Sequence, residues 1–326
     1  MVTPRDEYFH DRSDDPHWNE SGWFSFMVPD RRLSGMVYCY HRPNVGYSTG
    51  GFAAWDPSGD RYDDCLWYDL EQISPLPPGG EMFDFSLPTG LTVACVEPLQ
   101  EYRLQYKEDG CEVDFTWRKG REPFSPPMPA SQGQWGRHHY DQIGRMTGRL
   151  AVDGETIDVD GWSMRDHSWG PRKVAKDQRG RFVWGIASEN DAFLVWASAA
   201  QPFETDPLVG VPERIVAGWL LRDGVMAAIV GGESYVFERR ADGAPLADRI
   251  RATDDLGREL QAEGRAANMI TWPCYPTVYA WFTHYEWEID GGLRASGEEQ
   301  EWIPLHQRRA FVRRRPGSDH SPGVHR

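Results

Sequence analysis

Gly148-Arg-Leu-Ala-Val-Asp-Gly-Glu-Thr-Ile-Asp-Val-Asp-Gly-Trp162 is the stretch whose reading decides the fold. Leu150 and Val152 alternate with Arg149 and Ala151, the two-residue period of a half-buried strand. Asp153-Gly154 follows, a dipeptide suited to the positive φ angles of a tight hairpin turn. Ile157–Trp162 then returns as a second strand. Strand, turn and strand are complete within one short window.

Working outward, the same grammar recurs. Cys111-Glu-Val-Asp-Phe-Thr-Trp117 alternates, and runs such as Trp23–Val28, Gly35–Tyr40, Tyr102–Tyr106, Phe182–Ser188, Ile215–Leu221 and Tyr279–Ile289 are rich in β-branched and aromatic residues. Asn190-Asp191, Asp223-Gly224 and Asp290-Gly291 each separate two such runs. Long helical periodicity is missing; only Leu66–Ile73 and Asp206–Pro212 read as short helices. Regular strand spacing of this kind specifies an all-β chain of antiparallel barrels or sandwiches.

The length of 326 residues exceeds what one core usually supports, so two domains are expected. The boundary falls near residue 172, giving domains 1–172 and 173–315. The polar tail 316–326 is expected to be disordered, and the Pro-rich Arg121–Pro129 to be a surface loop. Fifty acidic against 35 basic residues give a net charge of −15, which excludes general nucleic-acid binding. No apolar run is long enough for a transmembrane helix. Met1–Asp15 is charged and lacks a signal-peptide core, so a cytoplasmic location is expected. The five cysteines are scattered without CxxC spacing, as in a reduced protein. The oligomeric state is not encoded in any of these features.

Functional side chains are densest in Arg165-Asp-His-Ser-Trp-Gly-Pro-Arg172. In an extended segment Asp166 and Ser168 share one face, and Arg165, His167 and Trp169 the other. A carboxylate beside tryptophan has its pKa raised by desolvation and lowered by a flanking arginine, a balance that acid–base catalysis uses. Equally, Asp166 could pair with Arg165 or Arg172 as a structural clasp. His138-His139-Tyr140-Asp141-Gln142 is a second polar cluster; its adjacent histidines point to opposite faces, so no metal site is expected there. His284 lies among aromatic residues, sharing a face with Phe282 and Glu286 and opposite Trp281, Tyr285 and Trp287. Glu298-Glu299-Gln300-Glu301 reads as a strand edge near solvent. Serine-hydrolase elbow, zinc-protease, P-loop and dinucleotide motifs are missing.

His139-Tyr-Asp-Gln142, Gly144-Arg-Met-Thr-Gly148, Asp158-Val-Asp-Gly161 and the Asp166-His-Ser-Trp-Gly-Pro-Arg172 run together resemble the centre of the lipocalin-like AttH/carotenoid-hydratase superfamily. Trp23-Phe-Ser-Phe26, Gly35-Met-Val-Tyr38 and Arg42-Pro-Asn44 fit the first domain of its two-domain branch. The resemblance covers roughly residues 15 to 312. It implies two tandem calycin-type antiparallel β-barrels, with relatives that include hydratases and lipocalin-like cyclases working without a redox cofactor.

The expectation is therefore an enzyme, a cofactor-independent lyase or isomerase acting by proton transfer on a hydrophobic terpenoid, steroid or polyketide-like molecule. Asp166 and His167 are the catalytic candidates. Trp169, Arg172, Trp162, His139, Tyr140, Trp281, His284 and Glu286 are the substrate-binding candidates. No metal is expected. A non-catalytic carrier of a hydrophobic ligand is the alternative, and a carbohydrate-active β-protein a second one.

Overall fold

The computed structural model describes residues 2–70, 73–127, 138–173, 179–198, 212–275 and 277–313. Most of the expected helix at 206–212 and the whole tail 316–326 lie outside them. The chain divides into two units, Met1–Val174 with Ser188–Asp191, and Ala175–Ala187 with Ala192–Arg326. Both are antiparallel β structures: the first a large curled sheet, the second a closed barrel.

The first unit holds β1 (Trp18–Val28), β2 (Leu33–Arg42), β3 (Tyr47–Trp55), β4 (Trp67–Asp69), β5 (Ile73–Pro75), β6 (Asp84–Ser86), β7 (Leu91–Glu97), β8 (Glu101–Glu108), β9 (Cys111–Lys119), β10 (His138–Val152) and β11 (Glu155–Pro171). Their order is β4-β3-β2-β1-β11-β10-β9-β8-β7-β6, with β5 also on β3. Within the segment expected as a helix at 66–73, Trp67–Asp69 and Ile73 are instead in strands at the edge of this sheet; residues 71–72 lie outside the described residues. Tyr106 explains why: its hydroxyl donates to Asp69 and accepts from the Trp67 indole, drawing β4 onto β8. The sheet curls on itself, so that Phe26 stacks on Phe52 and Phe52 meets Tyr106 across the interior. Burial of each such phenylalanine contributes about 1.5–3 kcal/mol.

The hairpin that opened the sequence reading is longer than its alternation showed. β10 and β11 pair without a bulge from Val152–Glu155 at the turn to His138–Trp169 at the far end. Asp153 and Gly154 have φ of 51° and 80°, the positive pair that a two-residue turn requires. The Asp166 segment is thus the end of a central strand, not a connection.

The second unit is a closed barrel of β12 (Gly180–Ile186), β13 (Ala192–Ser198), β14 (Glu213–Arg222), β15 (Val225–Arg239), β16 (Pro245–Asp254), β17 (Glu259–Tyr275), β18 (Val278–Ile289) and β19 (Leu293–Pro304), followed by α1 (Leu305–Arg313). Val183, Phe193, Val195, Ile250, Tyr285 and Trp287 fill one layer of its core. The next layer is ionic. Arg181 donates to Glu299 at 2.6 Å, to Ser234 at 2.9 Å and to Asp248, while Arg179 and Arg239 hold Glu301 at 2.7 and 2.6 Å. Burial opposes the charge of Glu301, but Arg239 and Arg179 hold its carboxyl down at about 2. The acidic run expected near solvent is therefore corrected: Glu298, Glu299 and Glu301 are buried, the last two because arginines meet them inside the barrel.

No helix among the described residues is long and apolar enough to cross a membrane. None of the five cysteines forms a disulfide.

Candidate active site

β11 runs between β1 and β10 and carries different chemistry on its two faces. Pairing places Asp166 between Trp23 and Asp141, and Ser168 between Ser21 and His139. Asp166, Ser168, His139 and Asp141 therefore share the face turned away from the first unit's core. There they form a short chain: Ser168 Oγ lies 2.7 Å from His139 Nδ1, and His139 Nε2 lies 2.8 Å from Asp141 Oδ1. Arg172 closes one end, donating to Ser21 Oγ at 2.9 Å. Trp162 stands on the same face, with the Arg145 guanidinium over its ring at 5.7 Å.

Asp166 makes no hydrogen bond or ion pair among the described residues. Burial pushes its carboxyl up to about 7, with Asp141 adding to the shift and His139, Arg172 and Arg165 opposing it. The structural clasp with Arg165 or Arg172 does not form: Arg165 turns to the other face and pairs with Glu7 at 2.9 Å. Burial opposes protonation of His139, but Asp141, through charge and hydrogen bond, raises its pKa overall. When His139 is charged, both ring nitrogens donate, to Ser168 and Asp141. When it is neutral, Nε2 keeps its proton and donates it to Asp141, and Nδ1 accepts from the Ser168 hydroxyl. The set can therefore store a proton on Asp166, on His139, or on both.

The inner face holds Arg165, His167 and Trp169. Arg165 is fully buried, donates to Gln142 and Glu7, and sits 4.4 Å from the Tyr102 ring centroid and 5.4 Å from that of Tyr140. The Tyr140 hydroxyl donates to Glu7. Burial, together with His10 and Arg165, drives the pKa of His167 well down. Trp169 lies between His10 and His138, with ring centroids 3.9 and 5.1 Å away. His167 and Tyr140, expected at the site, are thus separated from Asp166 by the sheet, and the imidazole beside Asp166 is His139. Asp141 joins the site although it is not among the expected site residues; its signal is the His-x-Asp spacing that sets two side chains on one face of a strand.

The second unit presents its own polar pair. His284 on β18 lies directly opposite Glu298 on β19, both buried and turned away from the ionic layer. Burial pushes Glu298 up to about 8 and His284 down to about 4, so both are neutral near pH 7. Glu298 accepts from Gln300 at 2.9 Å. Trp281 packs inward with Met269 and Ile303. Glu286, expected with His284, is exposed and lines a surface groove of about 630 Å³ with Arg249, Arg265 and Arg294.

Three solved structures share this architecture. A protein designated AttH from Nitrosomonas europaea superposes with a TM-score of 0.64 at 12% identity, over 92% of this chain and 96% of that one. Kievitone hydratase from Nectria haematococca gives 0.55 at 11% identity over 93% of each chain. CghA, solved with Sch210972, gives 0.56 at 12% identity over 89% of each chain. The fold is the one these three proteins share, as the resemblance of the central motifs implied. A search of curated proteins finds no match. A family profile described as a domain of unknown function, DUF7064, spans residues 3–302, and the chain belongs to that family.

Proposed function

We propose that the chain is a lyase or isomerase that works by proton transfer on a hydrophobic, terpenoid-, steroid- or polyketide-like molecule, with Asp166 as the proton donor and acceptor. The observation that carries this reading is the Asp166 carboxyl, with no hydrogen bond or ion pair among the described residues and pushed up to about 7, on the same face as the Ser168–His139–Asp141 chain. A carboxyl that titrates near neutrality offers acid and base forms in comparable amounts, the condition under which one group can protonate a substrate and then recover the proton.

His139 is the neighbour that answers each change of charge. An ionised Asp166 favours the imidazolium, and a protonated Asp166 releases it. Ser168 and Asp141 hold the ring in place through both states. Trp23 and Trp162 on this face supply apolar surface and π-density for a greasy substrate or a developing cation. Kievitone hydratase and CghA, a cyclase, are enzymes on the same fold, which favours catalysis over carriage. Nothing in the proposed steps requires a redox cofactor.

The test is turnover of an identified substrate by Asp166→Asn protein that melts cooperatively. Loss of a general acid–base is expected to lower kcat by about 10²–10⁴-fold with the compound still bound. Unchanged turnover removes Asp166 from the mechanism. Recovery of the supplied compound unaltered and in stoichiometric amount, by solvent extraction and mass spectrometry, would favour a carrier.

A further inference from the structure

On the inner face of β11, His167 meets two residues that the proposed reaction does not use. Glu20 of β1 and His10, from the segment before β1, converge with it so that one ligand atom from each lies within 4.8 Å of the others. Glu20 Oε2 is the meeting point, 2.9 Å from His10 Nδ1 and 3.9 Å from His167 Nε2. His167 and Glu20 are completely buried, and among the described residues the His167 ring finds no side-chain hydrogen-bond partner; the Asp6 backbone is the polar group nearest to it.

The surroundings orient these atoms. Asp6 Oδ1 lies 3.4 Å from His10 Nε2, and Thr3 holds Asp6 in turn through its backbone N–H at 2.7 Å and its hydroxyl at 2.9 Å. A proton on Nε2 shared with Asp6 leaves Nδ1 as a lone pair facing the carboxylate of Glu20. The Trp18 indole donates to Glu20 Oε1 at 3.2 Å, and the His10 backbone N–H donates to Oε1 at 3.1 Å and to Oε2 at 3.3 Å, which fixes the carboxylate with Oε2 toward the centre. Trp169 stacks flat on the His10 ring, 7° from parallel. A carboxylate behind a ligating histidine, and a second donor behind a ligating carboxylate, are what fix ligands around a metal.

We propose that His10, Glu20 and His167 bind a late first-row divalent metal ion of the zinc class. Two imidazoles and one carboxylate are a common three-ligand set for zinc. Tetrahedral coordination at Zn–N distances of about 2.0–2.1 Å needs ligand atoms about 3.3 Å apart, and the present separations bracket that value. The ion joins the N-terminal segment to β1 and β11, on the face opposite Asp166, so its role is to anchor that segment and it takes no part in the proton transfer.

The test uses the untagged full-length chain, stripped of metal and titrated with Co²⁺ while its visible spectrum is recorded. Uptake of one equivalent is expected, with the intense bands of a four- or five-coordinate ion, and displacement by Zn²⁺. His10→Ala and Glu20→Gln are expected to lose this uptake, while His17→Ala, an exposed histidine of the same segment, keeps it. His10 sits at the edge of the cluster, so His10→Ala decides the matter even where Glu20→Gln fails to fold. No uptake by the wild type, uptake that survives His10→Ala, or equal loss in His17→Ala overturns the proposal; the last two identify surface histidines as the ligands, and a protonated His10 then accounts for the short contact to Glu20.

Discussion

Replacing Asp166 by Asn tests the electrostatics of the candidate site without a substrate. The wild-type carboxyl is raised from an ordinary 3.8 to about 7, a shift of about three units. At about 1.4 kcal/mol per unit this sets an upper limit of about 4 kcal/mol for ionising Asp166 in the native state. The residue is half-buried, and water reaching it reduces the figure to about 2 kcal/mol. The sign follows from proton binding. Between 3.8 and about 7 the native state holds a proton that the unfolded chain has lost, so wild-type stability falls as pH rises through that window. The Asn variant lacks this titration. Urea melts of both proteins from pH 4 to pH 8 are expected to show the variant gaining on the wild type by about 2 kcal/mol, with the gain complete by about pH 8. Effects common to both proteins cancel. Asp166 also raises the pKa of His139, and loss of that coupling works in the same direction. A stability difference that is flat across the range, or that narrows with rising pH, refutes the reasoning.

Glu298→Gln should behave likewise in the second unit: burial holds Glu298 up at about 8, so the variant is expected to exceed the wild type by at least about 1 kcal/mol at pH 8 and to match it near pH 4, read from the same melts. Arg181→Met leaves Asp248 and Glu299 buried without their cation and is expected to cost about 3–5 kcal/mol in thermal or urea unfolding. Neighbours in sequence should part in function. Tyr140→Phe removes a hydroxyl from Glu7 and is expected to cost about 1–2 kcal/mol of stability with turnover unchanged, whereas His139→Gln is expected to slow turnover about tenfold or more; equal effects on kcat would place both residues in one site.

Much of the first unit could be read from one turn. Asp153-Gly154 fixes Val152 opposite Glu155, and counting outward along an unbroken hairpin puts His139 opposite Ser168 and Asp141 opposite Asp166. What the sequence could not show was that the hairpin continues for fifteen residues without a bulge, because Gly144 and Gly148 interrupt the alternation of β10. Gly144 is there for packing: a Cβ would come within 2.2 Å of the Trp117 ring. The acidic run misled for a different reason. Glu299 and Glu301 look like surface residues until Arg181, Arg179 and Arg239 come from β12, the segment just before it, and β15, contacts far apart in sequence that no local pattern encodes. The helix expected at 66–73 failed because Trp67 and Asp69 of the short edge strand β4 are held by tertiary bonds to Tyr106 and not by their own periodicity.

Arginine at the heart of a small barrel has a consequence for where chemistry can occur. Arg165 with Glu7, Tyr102 and Tyr140, and Arg181 with Asp248 and Glu299, occupy the layers that a ligand inside either barrel would need. Displacing such a network would strand buried charge at a cost of several kcal/mol, more than a greasy ligand could readily return. Side chains facing inward are therefore committed to holding the barrels together. In the proposed reaction, proton chemistry falls to residues turned the other way, where Asp166 makes no hydrogen bond or ion pair among the described residues, and a strand such as β11 can serve both needs because successive residues point to opposite faces. This division makes the alternation of β11 a functional constraint. Inserting one residue between Arg165 and Asp166 would leave Arg165 in register with the turn and carry Asp166 onto the inner face beside it, away from His139, and so destroy the site.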